Sequence, residues 1–276
     1  MLPVRNNKHL LFALMGFGGA AAGALLGELV PFAATRSALG LVFRTAWWSA
    51  AFASVLTLGL FSAGEIYNRR GWISLATLRK ALPVGALAGG LAGAVAQAVY
   101  TIQMESVMAR ELVFKPACWG LMGGLLGWRL SSAIPNLGLG RGVAGGAIGG
   151  FLGGLAFVLA GVCLPETLGR MIGVGLLGAA LGLAIVAIEA LFREAYLEVI
   201  WAPKEVTYVT LGITPVLIGG GDDHVRVVGL PQNAASVVLD QGKIQYTDKT
   251  SGKRTELKDG SKLQIGSISI LVRAKR

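Results

Sequence analysis

Few side chains in this 276-residue chain have the types and spacing that chemistry requires. Its two histidines are His9 and His224, and its two cysteines, Cys118 and Cys163, lie in apolar stretches. Neither cysteine has a second cysteine or histidine at metal-ligand spacing. No serine, histidine and aspartate arrangement or carboxylate pair points to a hydrolytic site. The sequence therefore predicts a protein that is not an enzyme and that has no metal and no cofactor.

One glycine-rich segment, Gly-Gly-Ala-Ile-Gly-Gly at 145–150, has the composition of a phosphate-binding loop. Such a loop needs a strand before it, an accessible helix N-terminus and a Lys-Ser or Lys-Thr pair after it. Here the glycines lie inside an apolar run and no such pair follows. The pattern therefore indicates helix packing and not nucleotide binding.

Polar side chains within the apolar runs are the next candidates, because charges in lipid are costly and often functional. Glu28 and Glu189 lie near the ends of such runs, and Arg44 and Arg129 can extend to a membrane interface. We interpret these four residues as interface anchors. Gln97 is neutral, and we expect it to make one hydrogen bond between helices.

The composition places most of the chain in a membrane. Mean hydropathy is +0.64 and 14% of the residues are charged, whereas a soluble domain has about a quarter. The net charge of +10 fits basic loops beside membrane spans. The predicted partners therefore include the lipid bilayer and exclude nucleic acid.

Apolar runs long enough to cross a bilayer predict an α-helical polytopic bundle of about six spans. The fourth has the shortest uninterrupted apolar core, because it contains Lys115 and Arg129. The six predicted spans cover residues 10–32, 39–64, 81–102, 112–134, 143–162 and 171–191.

Glycines recur every fourth residue in the odd-numbered spans, which places them on one helix face. Because they recur from span to span, we predict three related helical hairpins. These faces can pack within one chain or between two copies, so a homo-oligomer is an open alternative. The predicted packing residues are Gly19, Gly23, Gly27, Gly85, Gly89, Gly93, Gly142, Gly146, Gly150 and Gly154.

Basic residues in the short loops set the predicted orientation. The side that has more of them should be cytoplasmic, which places both termini in the cytoplasm. That side holds Arg5, Lys8, Arg69, Arg70, Arg79, Lys80, Arg129, Arg141 and Arg193.

The character of the chain changes near Pro203. We predict a transmembrane domain over residues 1–202, whose last helix runs on almost to this proline. Residues 203–276 contain short β-branched segments separated by Gly/Asp turns, such as Gly-Gly-Gly-Asp-Asp at 219–223. This pattern is typical of a small all-β sandwich, which the orientation places in the cytoplasm.

The β segment resembles a forkhead-associated (FHA) domain over residues 206–273. The resemblance lies in Pro-Val-Leu-Ile-Gly at 215–219, the Asp-rich turn after it, Leu-Lys-Asp-Gly at 257–260 and Leu-Gln-Ile-Gly at 263–266. A glycine-rich multi-span region with such a tail also resembles the layout of bacterial membrane proteins of uncharacterised role, which implies a location in a bacterial inner membrane. The resemblance implies a β sandwich that binds a protein partner.

The residues with which FHA domains contact phosphothreonine are largely replaced. Gly220 stands where the family has arginine, Asn233 where it has the phosphate-binding serine and Ser236 where it has histidine. The family's Asn-Gly pair falls near Lys253 and Arg254. Because a phosphate dianion needs charge-assisted donors, we predict binding without phosphothreonine, through Asn233, Lys253 and Arg254. The alternatives are a module that contacts the membrane bundle and, for Lys253 and Arg254, a solvated basic turn.

Two functions follow as expectations. The first is a membrane-anchored, non-enzymatic scaffold or adaptor whose FHA-like module binds a cytoplasmic protein. The alternative is a channel, transporter or membrane-remodelling protein in which that module is regulatory. A transporter usually has broken helices or a polar stripe, and neither is evident in the sequence.

Overall fold

The structure, a computed structural model, describes residues 7–29, 37–69, 74–101, 106–131, 134–249 and 251–274. Arg5, Arg70 and parts of the first, third and fourth predicted spans lie outside these ranges. Within them the chain forms six long helices: α1 (Lys8–Glu28), α2 (Ala38–Tyr67), α3 (Leu75–Thr101), α4 (Lys115–Leu130), α5 (Leu139–Cys163) and α6 (Glu166–Leu191). A helical turn (Val107–Ala109) and a π-helical turn (Arg110–Phe114) lead into α4.

Five of these helices are long and apolar enough to cross a membrane, which confirms an integral membrane protein in its general class. The exception among the described helices is α4. It has 16 residues, about 24 Å at 1.5 Å per residue, and it reaches the roughly 30 Å of the hydrocarbon layer only together with the helical turns at residues 107–114. A sixth crossing by α4 therefore stays a prediction.

The helices form a closed ring. Each packs on the next along the chain, and α6 packs on α1. Apolar side chains that are at most 1% exposed fill the interior. They include Phe12, Phe52, Leu56, Leu60, Met122, Leu126, Leu177, Leu181 and Ile185.

All ten glycines predicted for packing face another helix of the same chain. Those of α1 and α3 face α2, and those of α5 face α4. A Cβ atom added at Gly146 would overlap the carbonyl oxygen of Gly123, and one at Gly23 would lie 2.6 Å from that of Phe52. The glycines of α1 therefore contact the following helix and those of α3 and α5 the preceding one, so the contacts do not repeat uniformly between hairpins.

The helical part ends earlier than predicted. Helix α6 ends at Leu191 and the first strand, β1, covers Ala195–Ala202. The prediction that the last helix runs almost to Pro203 is therefore wrong, and strand structure begins within the range assigned to the transmembrane domain. The physical reason is that burial alternates along this segment with the period of two of a strand. Ala195, Leu197 and Val199 are buried, and the residues between them are half-exposed.

Two sheets form the β region, residues 195–274, and confirm the general prediction of a small C-terminal two-sheet β structure. After β1 follow the strands β2 (Glu205–Leu211), β3 (Val216–Gly219), β4 (Val225–Arg226), β5 (Ala235–Asp240), β6 (Lys243–Asp248), β7 (Arg254–Leu257), β8 (Lys262–Ile265) and β9 (Ile268–Ala274). Strands β2, β1, β9 and β8 lie in that order in one sheet, and β4, β3, β5, β6 and β7 in the other. Leu197, Val199, Ile218, Val237 and Ile270 belong to their common core.

Candidate functional site

Strand β2 lies at the edge of its sheet and rests on the end of the helix ring. An edge strand has one row of backbone N–H and C=O groups without a strand partner. Here side chains of the ring bind two of these groups. The N–H of Tyr208 donates to the hydroxyl of Tyr67 at 2.8 Å, and the amide of Asn136 donates to the carbonyl of Thr210 at 3.1 Å. We call the contacts between the ring and residues 205–214 the junction.

Asn136 lies between α4 and α5 and has a left-handed backbone (φ 58°). Besides Thr210, it binds the backbone of Thr214 in both directions. Its amide donates to the carbonyl of Thr214 at 3.1 Å, and its side-chain oxygen accepts from the N–H of Thr214 at 3.0 Å. One side chain therefore holds both ends of the loop that links β2 to β3.

A buried carboxylate lies at the centre of the junction. Glu189, near the end of α6, is 3% exposed. It accepts hydrogen bonds from Lys8 Nζ of α1 at 2.5 Å, from the hydroxyl of Thr210 at 2.6 Å and from Arg193 at 3.3 Å. The hydroxyl of Thr210 in turn accepts from Arg193 Nε at 3.1 Å. Two cations and a hydroxyl offset the cost of removing this charge from water. Through these partners Glu189 links α1, α6 and β2, so it is not the interface anchor that the sequence predicts.

A further ion pair holds the rim of the junction. Arg69, just beyond α2, pairs with Glu205 at the start of β2. Its guanidinium also lies 4.7 Å from the ring centroid of Trp201 in β1. The segments after α2 and α4 and the end of α6 therefore all contact the same stretch of chain, so the β region is attached at several separate points.

The other polar residues of the helices behave more nearly as predicted. The hydroxyl of Thr45 in α2 donates to Gln97 Oε1 in α3 at 2.9 Å, which confirms the interhelical hydrogen bond. Glu28 pairs with Arg170 at 2.5 Å at the opposite end of the ring from the junction, and both side chains are 56% exposed. Arg44 and Arg129 are exposed.

The predicted partner-binding residues lie together at one end of the five-stranded sheet. The N–H of Lys249 donates to the carbonyl of Ala234 at 3.0 Å, which places the loop of Asn233 beside the β6–β7 turn. Lys253 and Arg254, in and after that turn, are exposed. We call Asn233 and the β6–β7 turn the loop end.

Asn233 itself is held in place by its backbone. Its φ is 56°, and its N–H donates to the buried carboxylate of Asp223 at 2.7 Å. Its side-chain oxygen is buried and has no hydrogen-bond partner among the residues that the structure describes.

The loop end and the contact between the β5–β6 hairpin and the helical part lie at opposite ends of strand β6. The hairpin's turn, at Gln241 and Gly242, lines a cleft together with Arg141 and Asn136 of the helical part. Strand β6 has six residues, which at about 3.3 Å per residue separates the two ends by about 20 Å. The loop end therefore lies apart from this contact.

Gly220, another position compared with FHA domains, and His224, one of the two histidines, have structural roles. The N–H of Gly220 donates to the carbonyl of Pro231 at 2.9 Å, and a Cβ atom on Gly220 would overlap the carbonyl oxygen of Leu230. An arginine does not fit at this position unless the backbone shifts. His224 Nδ1 accepts a hydrogen bond from the N–H of Leu217 at 3.0 Å. In the described part of the chain, no three His, Cys, Asp or Glu side chains cluster as metal ligands would.

The sequence did not single out Tyr67 or Asn136 as functional residues, or predict how Lys8 and Thr210 pair. One usable signal is Glu189, a charge at the end of an apolar run, but its partner Lys8 is 181 residues away. No protein family, curated protein or solved structure matches this chain. The junction and the loop end are therefore the features from which function is inferred.

Proposed function

We propose that the protein is a membrane-anchored, non-enzymatic scaffold whose FHA-like β region recruits a protein partner at the cytoplasmic face. The observation that carries this proposal is the junction. A module that is hydrogen-bonded to the helix ring along its edge strand keeps one orientation, whereas a module on a flexible linker samples many. The junction thus supports a role in presenting the loop end at a fixed distance from the bilayer.

The filled interior of the ring favours this proposal over a channel or transporter. Conduction or transport requires a polar path or an opening along the helices. Most of the buried side chains in the ring are apolar, and the buried polar side chains of α2 are the hydroxyls of Ser49, Thr57 and Ser62. The bundle in this proposal therefore acts as an anchor and a platform.

The loop end supports binding that does not depend on phosphothreonine. A phosphate dianion needs several fixed, charge-assisted donors. Gly220 leaves no room for the arginine, and Asn233 replaces the serine. The exposed charges of the loop end include Lys249, Lys253 and Arg254, and they favour an acidic surface on the partner.

The test is proximity labelling by the full-length protein in its native membrane, followed by binding of the purified partner to the protein in nanodiscs. A Lys253→Glu/Arg254→Glu variant should lose at least about tenfold in affinity, because charge reversal places like charges opposite each other. The matched control is Lys243→Glu/Lys258→Glu, which reverses two exposed charges on the same module and should leave affinity within about twofold.

Three results would contradict the proposal. The first is full binding by the loop-end variant, and the second is loss of binding after phosphatase treatment of the partner. The third is ion or solute flux through liposomes that contain the full-length protein.

A further inference from the structure

Helices α3 and α4 pack less closely on each other than any other neighbouring pair in the ring. A cavity of about 310 Å³ lies between them. Glycines bring α3 against α2 and α4 against α5, but within the described residues no glycine of α3 meets α4. The two helices therefore stay further apart, and the space between them is lined by residues of α2, α3 and α4.

The inside of the cavity is mostly apolar, and its polar side chains include Thr45, Ser49 and the amide of Gln97. Trp48, Trp119, Met122 and Ala96 line it together with Gln97. The side-chain oxygen of Gln97 accepts from Thr45, whereas the NH₂ group has no acceptor among the described residues. A hydrocarbon chain that carries a carbonyl oxygen would fill such a space and supply the missing acceptor.

Positive charge lies beside the cavity, because Lys115 lines it and the guanidinium of Arg110 lies over the ring of Tyr100, another lining residue. Lys115 Nζ lies 2.7 Å from one oxygen of Glu111, and Arg110 Nε lies 3.7 Å from the other. Two cations thus share one carboxylate. Arg110 Nε is also buried without a hydrogen-bond partner in the described part of the chain. This arrangement suits an added anion.

This side of the cavity is also at the right depth for a lipid headgroup. Tyr100 lines the cavity and lies one residue before the end of a candidate span, Thr77–Thr101. Aromatic residues at the ends of spans lie at headgroup level. This end of α3 is opposite the junction, because the junction is formed by the start of α1 and the ends of α2 and α6.

We propose that this cavity binds one anionic phospholipid from the leaflet opposite the β region. An acyl chain lies between α3 and α4, an ester carbonyl accepts from Gln97, and the phosphate binds Lys115 and Arg110. This site is separate from the loop end, and it does not depend on the partner proposed above.

Cys118 lines the cavity, so the rate at which it is alkylated reports whether the cavity is occupied. The full-length protein with Cys163→Ser is delipidated in detergent, and the maleimide alkylation rate of Cys118 is followed. Phosphatidylglycerol at ten times its Kd should slow alkylation about tenfold, because only unoccupied protein reacts. Phosphatidylcholine and a neutral isoprenoid lipid, at the same concentration, should protect much less. Native mass spectrometry should detect one retained phospholipid.

Two variants test the two halves of the site. Ala96→Phe fills the cavity and should abolish retention of the lipid in native mass spectra, whereas Ala98→Phe, on the exposed face of α3, should retain it. Lys115→Met leaves the cavity open and should raise the Kd for phosphatidylglycerol about tenfold, which keeps the test valid if Ala96→Phe does not fold. Absence of protection by phosphatidylglycerol, equal protection by a neutral lipid, or full retention in Ala96→Phe would overturn the proposal.

Discussion

Inside the ring the helices meet through glycine, whereas the β region meets the ring through charged and hydrogen-bonding side chains. At Gly123 and Gly146 the two backbones are so close that no Cβ atom fits. At Glu189 and Asn136 the contacts are directional and polar. In lipid, apolar side chains gain nothing by leaving solvent, so close backbone packing has to hold helices together. At the membrane surface, paired polar groups can instead select one orientation.

The largest expected effect comes from removing the buried charge of the junction. Glu189→Gln leaves Lys8 and Arg193 without their carboxylate, and breaking such a pair costs about 3 kcal/mol. We expect the β region to detach from the ring while the ring stays folded. Limited proteolysis of the full-length protein in nanodiscs should then cut between α6 and β1, at residues 192–194.

The exposed ion pair at the other end of the ring is the matched control. Glu28→Gln removes a carboxylate of the same type, but from a pair that is more than half exposed. Such pairs contribute about 0–1 kcal/mol. If both substitutions gave the same proteolysis pattern, burial of Glu189 would not be what holds the junction.

An intermediate effect is expected within the ring. Gly146→Ala forces a methyl group against the backbone of α4 and should lower the free energy of unfolding by about 1–3 kcal/mol, measured by SDS titration in mixed micelles. Gly161→Ala in the same helix meets no atom within 4 Å and should be neutral or stabilising by about 0.5–1 kcal/mol. Equal effects of the two would show that close packing at Gly146 is not required.

The smallest effect concerns one hydrogen bond to the edge strand. Tyr67→Phe leaves the N–H of Tyr208 without its acceptor and should cost about 1–2 kcal/mol. Hydrogen exchange at Tyr208 should become faster, while exchange within the sheet core stays unchanged. Tyr208→Phe is the control, since that hydroxyl donates no hydrogen bond among the described residues. Unchanged exchange in Tyr67→Phe would mean that the ring does not protect this edge.

Hydropathy and period-two alternation are local properties of the sequence. They were sufficient to predict that the molecule divides into a helical region and a β region. The long apolar runs predicted the five helices that can cross a membrane, and β-branched segments predicted most of the strands. The end of α6 was misplaced because Arg193, Glu194 and Glu198 continue a helical charge pattern. The alternation of Ala195, Leu197 and Val199 was the competing signal, and pairing of β1 with β2 and β9 favours it.

The junction has no comparable local signal. Lys8, Tyr67, Asn136 and Glu189 come from four separate segments, and only the closed ring brings them to one end. Their residue types are ordinary at the ends of spans, where charged and aromatic residues are common. Gln97 was easier to predict, because a neutral amide inside an apolar helix needs a partner nearby.

The contact between the first and last helices also bears on how the chain is made. Lys8 and Glu189 are 181 residues apart, and at about 5–20 residues per second a ribosome needs on the order of 10–40 s to synthesise that interval. Helix α1 therefore enters the membrane well before its partner exists. Closure of the ring is therefore a late step of biogenesis, and a nascent chain that stops before Glu189 leaves Lys8 without this carboxylate.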